Sequence, residues 1–328
     1  MELLQFFTQN LLSPPILFFG LGIVAGAIKS DLNVPESISR YLSIYLMMAI
    51  GFKGGTAIAG TPSLSVALFL TLGAGLLMSF LLPFFAYGLL RATTRLDRPT
   101  LAAIAGTYGS VSIVTFVTAT NFLAASGTAY EGHMVAVLAV MEAPAILSAL
   151  FIAHRAAPET IESGKQATPR LSREIFTNGA ILLLFGSFLI GWLSGKPGLD
   201  RMEGFLVTPF QGILALFLLD MGIIVSRQLH HMRDFTLPLV QFCIYMPLIG
   251  AAAGLLLSFL IGLNAGTGAL FMVLCASASY IAVPAAMRLA LPQAKAAIYL
   301  PMSLAITFPF NIVVGIPVYL LLAKRVLV

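Results

Sequence analysis

Charge is what this sequence has least of. Asp, Glu, Lys and Arg make up 9% of its 328 residues and hydrophobic residues 59%, where soluble domains carry roughly 25% charged residues. A soluble fold of this length could not cover its surface with so few ionic groups, so lipid must solvate most of the chain. The charge-free runs Leu3–Ile28, Gly54–Leu90, Pro99–Tyr130, Ile175–Gly195, Phe235–Met287 and Ala296–Ala323 say the same. One membrane-spanning helix needs roughly 20 apolar residues, so the longest run holds more than one crossing. Cysteine is also scarce. Cys243 and Cys275 both lie in apolar runs and read as small buried hydrophobes, which excludes a disulfide framework. No His/Cys spacing suits a transition metal, and His230–His231 falls in a polar loop. The start, Met1-Glu2-Leu3-Leu4, lacks the basic region of a cleaved signal, so the first apolar run is expected to remain as a helix.

The pattern predicts an all-α membrane protein of about ten transmembrane helices, near 13–29, 38–52, 64–91, 100–122, 132–154, 174–195, 204–226, 235–262, 267–290 and 296–323. The hydrophilic stretch 155–173 divides the chain at its midpoint into a first five-helix repeat, 1–154, and a second, 174–328. A net charge of +5 could suggest nucleic acid, but the placement of the charges favours loop bias instead. Lys53, Lys196, Arg201, Lys324 and Arg325 fall on one side, and the other 13 of the 18 Lys and Arg fall on loops of the opposite side. That bias predicts both termini outside, with halves of opposite orientation.

The halves also echo each other. Gly109-Ser110-Val111-Ser112 in the fourth expected helix matches Ala276-Ser277-Ala278-Ser279 in the ninth, and Glu142-Ala143-Pro144 falls opposite Thr307-Phe308-Pro309. Inverted-topology repeats of this kind, with discontinuous helices 4 and 9, are a secondary-transporter architecture.

The two Ser-x-Ser segments are the first candidate site. Gly and Pro weaken a helix at mid-span, and freed backbone groups are tolerated only inside protein or along a wet cavity. Helix N-termini carry partial positive charge and serine hydroxyls add donors. Gly109, Ser110, Ser112, Ser277, Ser279 and Tyr280 are therefore the expected ligands of a small monovalent anion. The acids come second. Glu142 and Asp220 are the carboxylates well inside expected spans, where each requires a partner or water. Glu142 beside Pro144, with Thr115 and Thr118, makes a plausible sodium site; Asp220 either joins it or pairs with Arg227. Helix 2 ends in Ile50-Gly51-Phe52-Lys53-Gly54-Gly55 and falls short of the bilayer unless the glycines continue it, leaving Lys53 at a mouth or snorkelling to the interface. An intramembrane hydrolase would need a second catalytic motif beside Asp220-Met221-Gly222, so no catalytic residue is expected. The competing transport reading is a proton-coupled carrier, or a sodium/proton exchanger, using Glu142 and Asp220.

At these residues the chain resembles the sodium-dependent bicarbonate transporter family. The resemblance runs over nearly its whole length, through Ile50–Gly55, Gly109–Ser112, Glu142–Pro144, Ser277 to Arg288 and Gly315-Ile316-Pro317. It implies two inverted repeats contributing jointly to a core and a gate domain. It also implies a homotrimer in the bacterial inner membrane and sodium-coupled bicarbonate uptake without an organic cofactor. A small PII-like cytoplasmic regulator is a further partner that some members have. Where the family's cyanobacterial form carries Asp, this chain has Glu142, which keeps an acid, and Tyr280, which removes one.

Overall fold

The computed structural model describes residues 14–60, 66–156, 179–229, 235–280, the isolated positions 283, 287 and 291, and 293–327. The expected linker lies almost wholly outside these residues, as do His230, His231, Pro284 and Arg288. The described residues are helical, with no strand among them.

In chain order the helices are α1 (Pro14–Ala27), α2 (Glu36–Ala59), α3 (Val66–Thr93), α4 (Arg98–Gly109), α5 (Ile113–Ala125), α6 (Met134–Val140) and α7 (Glu142–Ala156). There follow α8 (Gly179–Met202), α9 (Phe210–Leu229), α10 (Leu237–Ile261) and α11 (Ala265–Cys275). Last comes α12 (Ala296–Val326), which widens into π-helical turns at Met302–Thr307 and Asn311–Gly315. Pro301, Pro309 and Pro317 lie along it, each withholding a backbone donor. Among the described residues six segments are long and apolar enough to cross a membrane: Val66–Thr93, Arg98–Ala125, Met134–Ala153, Phe210–Arg227, Leu237–Ile261 and Ala296–Val326. Pro14–Ala27 and Ala265–Cys275 are apolar but shorter.

Local chemistry sets the boundaries. Asp97 caps α4 by accepting from the Thr100 N–H at 2.9 Å, and Asn264 caps α11 by accepting from Thr267 N–H at 2.9 Å. Gly262 ends α10 in the left-handed region at φ 80°, and Gly195, at φ 54°, kinks α8 where the sixth helix was expected to stop. Helix 2 differs from expectation. It runs on as regular helix through Gly54 and Gly55 to Ala59, and both glycines sit where a neighbour presses too close for a side chain. Lys53 is therefore half-buried inside α2, its Nζ 4.8 Å from the centre of the Phe210 ring.

Lipid tails give helices no hydrophobic reason to associate, so close packing must hold them together. Two crossings do this through glycine. α1 meets α9 where Gly22 faces Gly222, and a Cβ on Gly222 would collide with the Phe19 carbonyl. α2 meets α8 where a Cβ on Gly55 would strike the Phe188 carbonyl and one on Gly191 the Phe52 carbonyl. These four helices form one group, also joined through α2 and α9. The remaining helices form a second group: α3 packs on α4 and α7, and α10 and α12 pack on α11. The groups touch at fewer places, including Gly54 against Val135 and the Phe19–Phe308 ring pair at 5.6 Å.

Candidate functional site

Both Ser-x-Ser segments interrupt a helix. α4 ends at Ser110 (φ −99°, ψ 174°), Val111 is non-helical, and Ser112 (φ −109°, ψ 111°) starts α5. α11 ends at Cys275, Ser277–Ser279 is non-helical, and Val283 is again helical. The breaks are tied together: the Ser279 N–H donates to the Thr107 carbonyl at 2.8 Å. Close approach elsewhere needs small residues. Gly109 rests on Pro83 of α3, and Gly250 of α10 rests on the Cys275 carbonyl.

A cavity of about 400 Å³ lies between the two helix groups. At roughly 30 Å³ per water it has room for about a dozen molecules. One wall comes from the first group: Glu36, Ser39, Arg40, Ser43 and Met47 of α2, with Phe217, Met221 and Ile224 of α9. The facing wall is the second group's breaks, with Ser112, Ser279, Tyr280 and Glu142. Glu36 and Arg40 mark the mouth, since their side chains are 92% and 76% exposed and their mutual ion pair is a loose 3.9 Å. On another part of the seam, Gln211 at the start of α9 donates to Asn121 near the end of α5 at 2.9 Å.

Hydrogen-bond direction tells what each buried hydroxyl can still do, because each has one donor and two acceptor sites. Ser112 Oγ accepts from the Thr115 N–H at 3.2 Å and from the Thr115 hydroxyl at 2.8 Å, so its own hydrogen is uncommitted. Ser279 Oγ accepts from the Val283 N–H at 3.3 Å, and its own hydrogen has no acceptor among the described residues. The Tyr280 hydroxyl approaches the Ser112 side chain without completing a hydrogen bond. Three neutral donors thus line one cavity.

The other expected residues are placed differently. Ser277 donates its hydroxyl to the Val273 carbonyl at 2.6 Å, and Ser110 Oγ is buried without a partner, away from the cavity wall. Thr115 donates to Ser112, and Thr118 donates to the Val114 carbonyl at 2.9 Å; neither is among the residues lining the cavity. Glu142, at the start of α7, is 2% exposed with Oε2 unpartnered. A carboxylate left so in a membrane interior requires a cation or a donor. Asp220 instead accepts a hydrogen bond from Ser39 and feels the charge of Arg227. It reaches the cavity only through that serine.

Three features were not anticipated. The α2 stripe Glu36-Ser39-Arg40-Ser43-Met47 forms a cavity wall, and its spacing on one helical face was readable in the sequence. Asn311 of α12 donates to the Ala276 carbonyl at 2.8 Å and braces the second break; an Asn in an apolar run was its signal. His133 is 3% exposed, with Nδ1 3.0 Å from Glu131 Oε2 and Nε2 without a partner among the described residues.

Among described residues no group of His, Cys, Asp and Glu could hold a metal ion by clustering. No curated protein matches the chain significantly. The model of the Na+-dependent bicarbonate transporter superfamily matches residues 14–324, which covers every break and cavity residue named above. The chain belongs to the Na+-dependent bicarbonate transporter superfamily.

Proposed function

We propose that this protein is a symporter that couples sodium to bicarbonate and works by alternating access. The observation that carries the anion half is the set of uncommitted hydroxyl donors on Ser112, Ser279 and Tyr280 around one cavity. They supply hydrogen bonds to an anion without the strong attraction for polyvalent anions that a cluster of lysines would bring. The sodium half rests on Glu142, with Thr115 and Thr118 as oxygen donors whose hydrogens are directed elsewhere. Asp220 is a secondary candidate through Ser39.

The architecture of this reading is ten helices in inverted repeats, 1–154 and 174–328, around a linker at 155–173. The glycine crossings support it. α1 and α2 open the first half, and α8 and α9 the second, so exchanging the halves turns the α1–α9 pair into the α8–α2 pair. The α1, α2, α8, α9 group then acts as the gate and the other helices as the core, each drawn from both repeats. The charge bias supports an inner-membrane protein with both termini outside. The assembly is a homotrimer by resemblance, with a PII-like regulator as candidate partner at the cytoplasmic face.

The test is labelled bicarbonate uptake into proteoliposomes at clamped pH and voltage, with and without sodium, wild type beside Glu142→Gln. Wild type should require sodium, and the variant should need far more of it for half-maximal uptake. Uptake indifferent to sodium but driven by a pH gradient would replace this reading with proton coupling through Glu142 and Asp220.

A further inference from the structure

Bicarbonate differs from most small monoanions in one respect that a binding site can use. It is a planar group of three oxygens, one of which carries a proton. Nitrate has nearly the same shape and the same charge but has no proton, and formate lacks it too. A wall of donors alone would accept all three anions. Recognising bicarbonate needs an acceptor facing those donors.

The cavity has one. Ser112, Ser279 and Tyr280 present donors, and Glu142 lines the same cavity. Among the described residues its Oε2 is buried with no hydrogen-bond partner, and the Tyr280 hydroxyl is likewise buried without one. The other charged groups on the lining are Glu36 and Arg40, both highly exposed at the mouth. Ser39 and Ser43 cannot substitute as donors, since Ser39 donates to Asp220 and Ser43 to the Ser39 carbonyl at 3.0 Å. At the inner end the described polar groups are therefore three donors and one acceptor, the complement of an anion with two bare oxygens and one O–H.

We propose that Glu142 is a specificity-determining residue, accepting the hydroxyl proton of bicarbonate while Ser112, Ser279 and Tyr280 donate to its other oxygens. This rests on the anion site proposed above and adds the reason it takes bicarbonate. A site that must hydrogen-bond a substrate O–H rejects analogues without it strongly, because its own polar group is left unpaired. With nitrate bound, the Glu142 carboxylate faces an oxygen lone pair and both groups lose their partner. The carboxylate has two oxygens, so one can meet sodium while the other meets the anion.

The experiment is competition in proteoliposomes of the full chain. Sodium-driven uptake of labelled bicarbonate is measured at fixed pH and saturating sodium against rising nitrate or formate. Nitrate and formate should compete at least about 100-fold more weakly than unlabelled bicarbonate. In Glu142→Gln, whose amide can turn its N–H toward a bare oxygen, the gap should close to within about tenfold. Ligand-dependent rise in Tm of the purified protein gives the same ratio for a variant that no longer transports. Nitrate competing as well as bicarbonate against the wild type overturns the proposal. It would mean that Glu142 carries its own proton and donates, or that it does not touch the anion. A Glu142→Gln variant that folds and keeps the wild-type gap overturns it equally. Absence of sodium-dependent bicarbonate uptake in the wild type is a different result, which removes the underlying transport reading.

Discussion

The backbone N–H of Ser279 donates to the carbonyl of Thr107, joining the unwound stretch after α11 to the last turn of α4. Asn311 holds the same stretch from the other side, through the Ala276 carbonyl, and is itself held by the Tyr319 hydroxyl at 3.0 Å. The two breaks are thus fixed to each other and to α12. Asn311→Leu would leave the buried Ala276 carbonyl without its donor, which costs about 1–3 kcal/mol. The expected outcome is a lower Tm and a raised KM for the anion. Tyr319→Phe, which leaves the Asn311 bond in place, should be milder in both measurements.

Within each Ser-x-Ser pair the two serines should behave differently. Ser112→Ala and Ser279→Ala each remove an uncommitted donor, and a hydrogen bond to a charged group contributes about 1.5–3 kcal/mol. Each should raise the apparent KM for bicarbonate by about 10- to 100-fold. Ser277 already donates to Val273, so Ser277→Ala should change KM by less than about threefold. Equal effects from Ser277→Ala and Ser279→Ala, measured by uptake in proteoliposomes, would contradict this assignment of donors.

The Gln211–Asn121 hydrogen bond joins the helix group of α9 to that of α5. If the two groups must separate there during transport, holding them together should stop the cycle. Cysteines at positions 121 and 211, bridged by a short bifunctional thiol reagent with a cleavable link, should abolish uptake, and reductant should restore it. The native Cys243 and Cys275 are buried and should not interfere. Full uptake by the bridged protein would show that this contact stays closed throughout the cycle.

Asp97 gives a pH signature outside the membrane-spanning segments. Burial pushes its carboxyl up, but hydrogen bonds from Thr100 and the charge of Lys295, 3.5 Å away, outweigh that and hold it below its ordinary value. A depressed carboxyl contributes stability that is complete above the unfolded-state value, roughly 3.9. That contribution is lost as pH falls through the lower folded-state value. Asp97 is 38% exposed, so solvent screening keeps the effect under about 1 kcal/mol. Tm should therefore dip below about pH 4 in the wild type, and Asp97→Asn should lose that component while keeping the helix cap.

What could be read from the sequence followed the physics of each signal. Missing charge gave the apolar helices directly, because no arrangement of them in water would be soluble. The breaks at Ser112 and Ser279 were legible because Gly, Ser and Pro at mid-span leave backbone groups that must be satisfied somewhere. The length of α2 was misjudged because Gly54 and Gly55 read as a helix end, whereas Val135 and Phe188 press there and require small residues. Which of Ser277 and Ser279 keeps its hydrogen free was not legible, since it depends on the bond Ser277 makes to the Val273 carbonyl and the one Ser279 takes from the Val283 N–H. The Ser39–Asp220 bond spans two helices far apart in sequence, whereas sequence proximity points only to Arg227 on the same helix.

The capping role of Ser112 has a consequence for life in a cell. Its lone pairs are taken by α5, so the direction in which its proton points is set by the helix rather than by whatever enters the cavity. A pocket polarised in this way attracts anions through fixed dipoles, which fall off with distance faster than the field of a full charge. On the anion site proposed above, polyvalent anions such as phosphate and nucleotides, which a cell holds in abundance, gain less from it than they would from an arginine cluster.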